Sequence, residues 1–310
     1  MKFFFDRIRY NYYISFFISL FIKPIYLSIS FIKIQIEKKV RINGQTVIYD
    51  DFKIKFPKNI GVNYSSNIFW RKINGFEPET YSCLKQLFIA SDYFFDIGSN
   101  IGFYAVLAKK NNPNLKVCAF EPIIEIHDQN ERFKNYNSVK YDLYNIALSN
   151  EEGYQNIYLP KTKSIEYETT ATLNKDSWQR RKSHEKIQVE TNLLDNIIFK
   201  MDIEKSAKIL IKIDVEDFEA IVFKGMVSTV KKYKPIIICE VLVRNHGNIA
   251  FLKEVTNLEY NVFAITSNGY FRMTEIDFTK NRPFRDFILL PKNIFRNSNY
   301  FTSNDLAEVI

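Results

Sequence analysis

The stretch Tyr93-Phe94-Phe95-Asp96-Ile97-Gly98-Ser99-Asn100-Ile101-Gly102-Phe103-Tyr104 decides how this chain is read. An apolar strand ends in an acid, turns at a glycine and opens a helix at a second glycine. One helix and one strand later comes Ala119-Phe120-Glu121-Pro122, where another strand ends in an acid. Strand, Asp-x-Gly-x-x-x-Gly, helix, strand, acid is the order in which an open α/β sheet holds a nucleoside at its carboxyl edge. Gly98 permits the tight turn, and Gly102 lets the helix pack close to the strand.

The spacing lacks the third glycine of a dinucleotide fingerprint, which argues against a nicotinamide-dependent oxidoreductase and for S-adenosylmethionine. Free amide groups at the helix start favour an anion, here the methionine carboxylate. Asp96 is placed to hold the ammonium, directly or through water. Glu121 is placed to accept both ribose hydroxyls, and Pro122 opens the next helix. Asn145, Ala147 and Leu148 end the third strand, where the base would lie. The expected cofactor set is therefore Asp96, Gly98, Ser99, Asn100, Gly102, Glu121, Pro122, Asn145 and Ala147.

Outward from this turn, short apolar runs alternate with helical patterns, which means a parallel sheet with right-handed crossovers. The patterns predict strands near 93–97, 116–120, 139–146, 208–214, 235–241, 260–266 and 285–290. They predict helices near 77–89, 102–111, 123–135, 193–201, 217–232 and 248–257. Gln155–Pro160 and Lys186–Leu193 alternate apolar and polar residues, as an antiparallel hairpin does, and the polar segment 162–183 between them reads as a loop over the site. Nearer the start, Asn43-Gly44-Gln45 reads as the turn of a small hairpin, and 59–75 as irregular. The domain boundaries follow: 1–75 as an N-terminal segment, 76–295 as the main domain, and 296–310 as a polar tail.

The chain has 310 residues, 46% of them apolar and 25% charged, so it has enough length and apolar content for a large core. The net charge of +8 comes from Lys and Arg scattered among acids, the pattern of a solvated mixed surface rather than of a nucleic-acid partner. Cys83, Cys118 and Cys239 lack metal spacing; Cys118 and Cys239 lie in predicted core strands and read as small buried residues, in a reducing, cytoplasmic setting. From Tyr12 to Ile36 the only charges are Lys23 and Lys33. That run admits docked helices, peripheral membrane association through residues 8–36, or a span.

A second signal is Lys208-Ile209-Leu210-Ile211-Lys212-Ile213-Asp214-Val215-Glu216-Asp217-Phe218-Glu219. A buried strand ends in Asp214, and further acids open a helix, where the dipole favours them. The neighbouring strand, Pro235 to Glu240, also ends in a carboxylate. Neighbouring strands lie about 4.8 Å apart, so Asp214 and Glu240 can face one site. Two chemistries stay open: the pair acts as general base and orienter for a substrate hydroxyl, or it holds a divalent cation such as Mg2+. His246, just beyond Glu240, is a further candidate base.

These blocks, in this order, resemble the FkbM-type methyltransferase family. The likeness runs from Phe76-Glu77-Pro78-Glu79 through Phe95–Tyr104, Ala119–Pro122, Asn145–Ser149, Ile211–Glu216 with Glu219, and Pro235–Glu240. It implies a Rossmann-like α/β fold: a seven-stranded, mostly parallel sheet with helices on both faces and an antiparallel last strand. It also implies S-adenosylmethionine-dependent methylation of a hydroxyl, on a sugar of a glycan or glycolipid or on a secondary metabolite. The position after Val215-Glu216 is usually glycine in this family and is Asp217 here, which bears on the acceptor pocket. Two rival readings are a methyltransferase for another acceptor (nucleic acid or amine) and a non-catalytic, membrane-associated binding domain. The acid cluster at the end of the fourth strand would repel phosphate, against the first of these.

Overall fold

The computed structural model describes residues 13, 14, 17, 41–160, 184–241, 246–273, 284–294, 300–302, 305 and 306. Two compact units make up the chain, one of Met1–Pro78 with Asp128–Lys140 and the other of Glu79–His127 with Tyr141–Ile310.

In the first unit, β1 (Thr46–Tyr49) and β2 (Phe52–Lys55) form an antiparallel hairpin. The sequence predicts its turn at Asn43-Gly44-Gln45, but the structure turns at Asp50-Asp51, with Asp50 left-handed at φ 52°. Asn43 is buried instead, its Nδ2 donating to Asn59 Oδ1 at 2.8 Å and its Oδ1 accepting the Asn59 amide at 2.7 Å. The supposedly irregular 59–75 contains helix α1 (Val62–Arg71) and a 3-10 turn, Lys72–Gly75. Its apolar period is masked because Ser65 and Ser66 occupy buried positions. Ser66 Oγ accepts the Ile42 amide at 2.8 Å, which satisfies a buried polar pair. Phe56 packs its ring on Phe133 at 5.0 Å, and Asn137 bonds both backbone groups of Lys55 at 2.9 Å.

The second unit is built on strands too apolar to remain in water. Helix α2 (Pro78–Ala90) leads into β3 (Tyr93–Ile97), α3 (Phe103–Asn111), β4 (Lys116–Phe120), α4 (Ile124–Tyr136), whose residues from Asp128 onward count with the first unit, and β5 (Asp142–Tyr144). Then come β6 (Ala147–Leu148), β7 (Gly153–Pro160), β8 (His184–Asn192), α5 (Leu194–Lys200) and β9 (Ile209–Ile213). After these follow α6 (Glu219–Lys224), α7 (Val227–Tyr233), β10 (Ile236–Glu240), α8 (His246–Asn257), β11 (Tyr260–Thr266), β12 (Gly269–Arg272), β13 (Asp286–Pro291) and β14 (Tyr300–Phe301).

The main sheet runs β14-β12-β11-β13-β10-β9-β3-β4-β5. From β5 to β10 all pairings are parallel, and β13 inserts antiparallel between β10 and β11. The seven expected strands are thus present with the last antiparallel, and β12 and β14 extend the sheet to nine. The segment read as a polar tail is not separate from the sheet: Phe301 pairs with Tyr270 and is buried against the rings of Phe263 and Tyr270 at 4.8 and 4.6 Å. The predicted hairpin of β7 and β8 forms, with β6 added parallel to β8.

Side chains alternate along each strand, so the sheet has two different faces. Phe95, Ile97, Ile211, Ile213, Ile237, Cys239 and Phe287 join one apolar core with Leu194, Phe223, Val230 and Phe251. Phe94, Asp96, Lys212 and Ile238 lie in the alternate positions of the strands, and Phe94 stacks edgewise on Phe88 of α2 at 5.0 Å. The order reverses between β3 and β9, which leaves the crevice where such sheets bind ligands.

The single helix predicted over 217–232 is two helices, broken at Gly225. A Cβ there would sit 1.9 Å from the Ser149 carbonyl oxygen, so only glycine fits. Asp195 supports the restart by accepting the Ser228 and Thr229 amides at 2.9 and 2.7 Å. All three cysteines are free and buried. Among the described residues, no helix is long and apolar enough to cross a membrane. The expected membrane-associated segment 8–36 lies almost wholly outside the described residues, as does the expected loop 162–183.

Gly225→Ala is expected to cost about 1–3 kcal/mol through this backbone clash, read as a lower urea midpoint with an unchanged slope.

Candidate active site

The β3–α3 turn packs directly on the end of β9. The Asp214 amide donates to the Ile97 carbonyl at 3.0 Å, and a Cβ on Gly98 would lie 1.9 Å from the Asp214 carbonyl oxygen. Gly98, Asn100 and Gly102 all have positive φ, at 77°, 50° and 79°. This winding turns the amides inward. Gly98 and Ser99 donate to the Phe120 carbonyl at 3.1 and 3.0 Å, and Gly102 donates to Ser99 at 2.8 Å. Asn100 donates to Glu121 Oε2 at 3.1 Å, and Ile101 to Asn100 Oδ1 at 2.8 Å. All five amides from Gly98 to Gly102 are thus engaged, three of them with Phe120 and Glu121 and two within the turn.

Glu121 is buried, and its Oε1 also accepts the Ile123 amide at 3.0 Å. Burial pushes its carboxyl up to about 7 despite these two amides. Asp96 is 1% exposed, and neither of its oxygens meets a donor at hydrogen-bonding geometry among the described residues. Burial raises its pKa to about 6; the Lys212 ammonium and the nearby Ala105 amide pull it back, and Asp214 pushes it up. Asn145 Nδ2 clamps the Glu121 and Pro122 carbonyls at 2.9 and 3.0 Å.

The cleft itself is bounded by Gly98, Asn100, Glu121 and Pro122 on one side and by Asp214, Val215 and Glu216 on another. Phe120, Ile123, Ile126, Ala147, Leu148, Ile157 and Phe218 supply an apolar wall. Such a wall beside polar groups suits a flat base attached to a sugar.

At the reacting end, Asp214 is 27% exposed, and its Oδ2 is held at 2.8 Å by Lys212 Nζ. Glu240 lies beside it on β10 and faces Arg285 at 3.2 Å. Burial, then Asp214 and Asp286, push the Glu240 carboxyl upward. Asp286, the strand partner of Glu240, is likewise raised, first by burial and then by Asp214. Glu219 opens α6 fully buried, accepts the Val215 amide at 3.3 Å, and is pushed up to about 8 by burial, against its own amide hydrogen bond. His246 begins α8, but its side chain lies outside what the structure describes.

Sequence reasoning passes over Lys212 and Asp286. The signal for Lys212 was legible, a charge inside an otherwise apolar run. Asp286 had none, since its role depends on β13 inserting beside β10.

A model of the FkbM methyltransferase domain matches residues 96–270, more than half of the chain. The chain belongs to the FkbM methyltransferase domain family. No curated protein matches the sequence. Among solved structures, this FkbM domain is similar to the FkbM methyltransferase of Methylobacillus flagellatus, with 12% identity and a TM-score of 0.42. That alignment covers 74% of this chain and 56% of the other, so the chain spans little more than half of that relative. It is also similar to the Bacillus cereus O-methyltransferase solved in complex with SAH, with 12% identity, TM-score 0.37, and coverage of 68% and 79%.

Asp214 and Glu240 each already face a cation. Among the described residues, no three His, Cys, Asp or Glu side chains form a group suited to a metal ion.

Asp217 is left-handed at φ 75°, directly after Glu216 at φ 50°. Such backbone costs about 1–3 kcal/mol per residue. Asp217 also adds negative charge beside Glu219. Asp217→Gly is expected to raise stability by about 1 kcal/mol, measured by denaturant unfolding. The buried acids predict a pH trend as well. Asp96, Glu121 and Glu219 have folded pKa values raised from 3.8, 4.5 and 4.5 to about 6, 7 and 8. The folded protein thus holds protons that the unfolded chain releases, so stability falls as pH rises from about 4 to 8. Thermal melts across that range should show the decline, and Glu219→Gln should flatten its upper part.

Proposed function

We propose that this domain transfers a methyl group from S-adenosylmethionine to a hydroxyl of a carbohydrate or related acceptor. The observation that carries the reading is the pair of buried acids, Asp96 and Glu121, ending adjacent strands at the switch point of the sheet. Asp96 is a buried carboxylate whose oxygens meet no donor at hydrogen-bonding geometry among the described residues, and the nearby Lys212 ammonium is paired with Asp214, so a further cation would offset the cost of its burial. The ammonium of the cofactor is such a cation. Glu121 would take the ribose hydroxyls through the remaining lone pairs of its oxygens, and Phe120, Ile123, Ala147 and Leu148 would enclose the base.

When bound, S-adenosylmethionine supplies an electrophilic methyl group on a sulfonium. Asp214, at the cleft, takes the proton from an acceptor hydroxyl, and Glu240 beside it shapes the field in which that proton moves. The acids Asp214, Glu216 and Glu240 favour a neutral acceptor over a phosphate backbone. The choice of a sugar hydroxyl rests on family resemblance.

Calorimetry with S-adenosylmethionine and S-adenosylhomocysteine tests the reading. Both should bind, and Glu121→Gln should weaken each by about tenfold or more while the protein stays folded. Binding of neither compound to folded protein would sink the proposal.

A further inference from the structure

Strand β9 is buried at all five positions, and one of them is a lysine. The Lys212 side chain is 6% exposed, and an ammonium in such a place costs several kcal/mol unless it is paired. Its compensation comes from separate elements: Asp214 Oδ2 at 2.8 Å beyond β9, the Tyr104 ring of α3 at 4.9 Å, and the fields of Asp96 on β3 and Asp286 on β13. Packed apolar residues often stabilise such a position as well as a buried ion pair does. The charge therefore invites an explanation beyond stability.

Geometry supplies one. Residues two apart on a strand project from the same face, so Lys212 reaches along β9 to the acid at its end. The pair engages only one carboxylate oxygen; Asp214 Oδ1 has no partner among the described residues. Two residues further on, Glu216 and Asp217 are both left-handed, at φ 50° and 75°.

We propose that Lys212 is a positioning residue: its ammonium pins Asp214 Oδ2, leaves Oδ1 unengaged, and tempers the negative field that the cleft presents to a sulfonium. This rests on the S-adenosylmethionine reading above. A sulfonium substrate carries one more positive charge than its thioether product, so the charge of Lys212 sets how strongly the site prefers one over the other. With Lys212 present, Asp96, Asp214, Glu240 and Asp286 do not hold the cationic form at full strength.

The test needs no acceptor. Wild type, Lys212→Met and Lys212→Arg are titrated calorimetrically with S-adenosylmethionine and with S-adenosylhomocysteine, and the ratio of the two affinities is compared. Lys212→Met is expected to shift that ratio toward the sulfonium by about fivefold or more, and Lys212→Arg to keep it within about twofold of wild type. A purely structural lysine would weaken both ligands alike, and an unchanged ratio in folded Lys212→Met overturns the proposal. If Lys212→Met does not fold, Lys212→Gln decides: it removes the charge but keeps a polar head beside Asp214, it must move the ratio toward the sulfonium, and a constant ratio overturns the proposal. Wild-type protein that binds neither compound strikes the cofactor reading itself, an outcome distinct from binding with an unshifted ratio.

Discussion

The fold's functional edge depends on a close approach of backbone to backbone. Where β3 ends, Gly98 comes so near the Asp214 carbonyl that a Cβ would stand 1.9 Å from it, and the Asp214 amide bonds Ile97 at 3.0 Å. Glycine at that place is a steric requirement, made stricter by a φ of 77°. The contact fuses the turn that shapes one side of the cleft to the strand end that carries the acid on another. Neither can shift without the other, so the two halves of the cleft behave as one rigid piece.

Charge is the second constraint. Asp96, Glu121 and Glu219 are all at most 5% exposed, in a unit whose buried residues are mostly apolar. The protein tolerates them through backbone amides for Glu121 and Glu219, and through the buried ammonium near Asp96. Perturbed carboxylates concentrated at one edge of a sheet mark a functional site on physical grounds. Ionising them costs stability as pH rises, a tension common to binding clefts.

The parallel sheet was legible because its strands are short, apolar and separated by helical periods. Predicted and observed ends agree within a residue or two for β3, β4, β9, β10 and β11. Asp96, Glu121 and Asp214 were legible because an acid that ends a buried strand has few purely structural uses. Features that depend on tertiary packing were not. The hairpin turn moved from Asn43-Gly44 to Asp50-Asp51 because Asn43 is committed to Asn59. Helix α1 was hidden by buried serines, and the break at Gly225 is dictated by a carbonyl 76 positions earlier in the chain, that of Ser149. Nor did the sequence signal that Asn145 Nδ2 bonds two carbonyls of the β4–α4 connection.

Glu121 has a consequence for how such proteins diverge. Its two oxygens bind the amides of Asn100 and Ile123, and so tie the β3–α3 turn to the β4–α4 turn before any ligand arrives. Selection for a stable fold is then sufficient to retain the residue. A descendant that lost catalysis and became a scaffold would still keep Glu121, whereas Asp96, with no such internal bond, would be released to drift. Within a lineage of this fold, the acid that ends β3 is therefore the more telling witness of a working cofactor site.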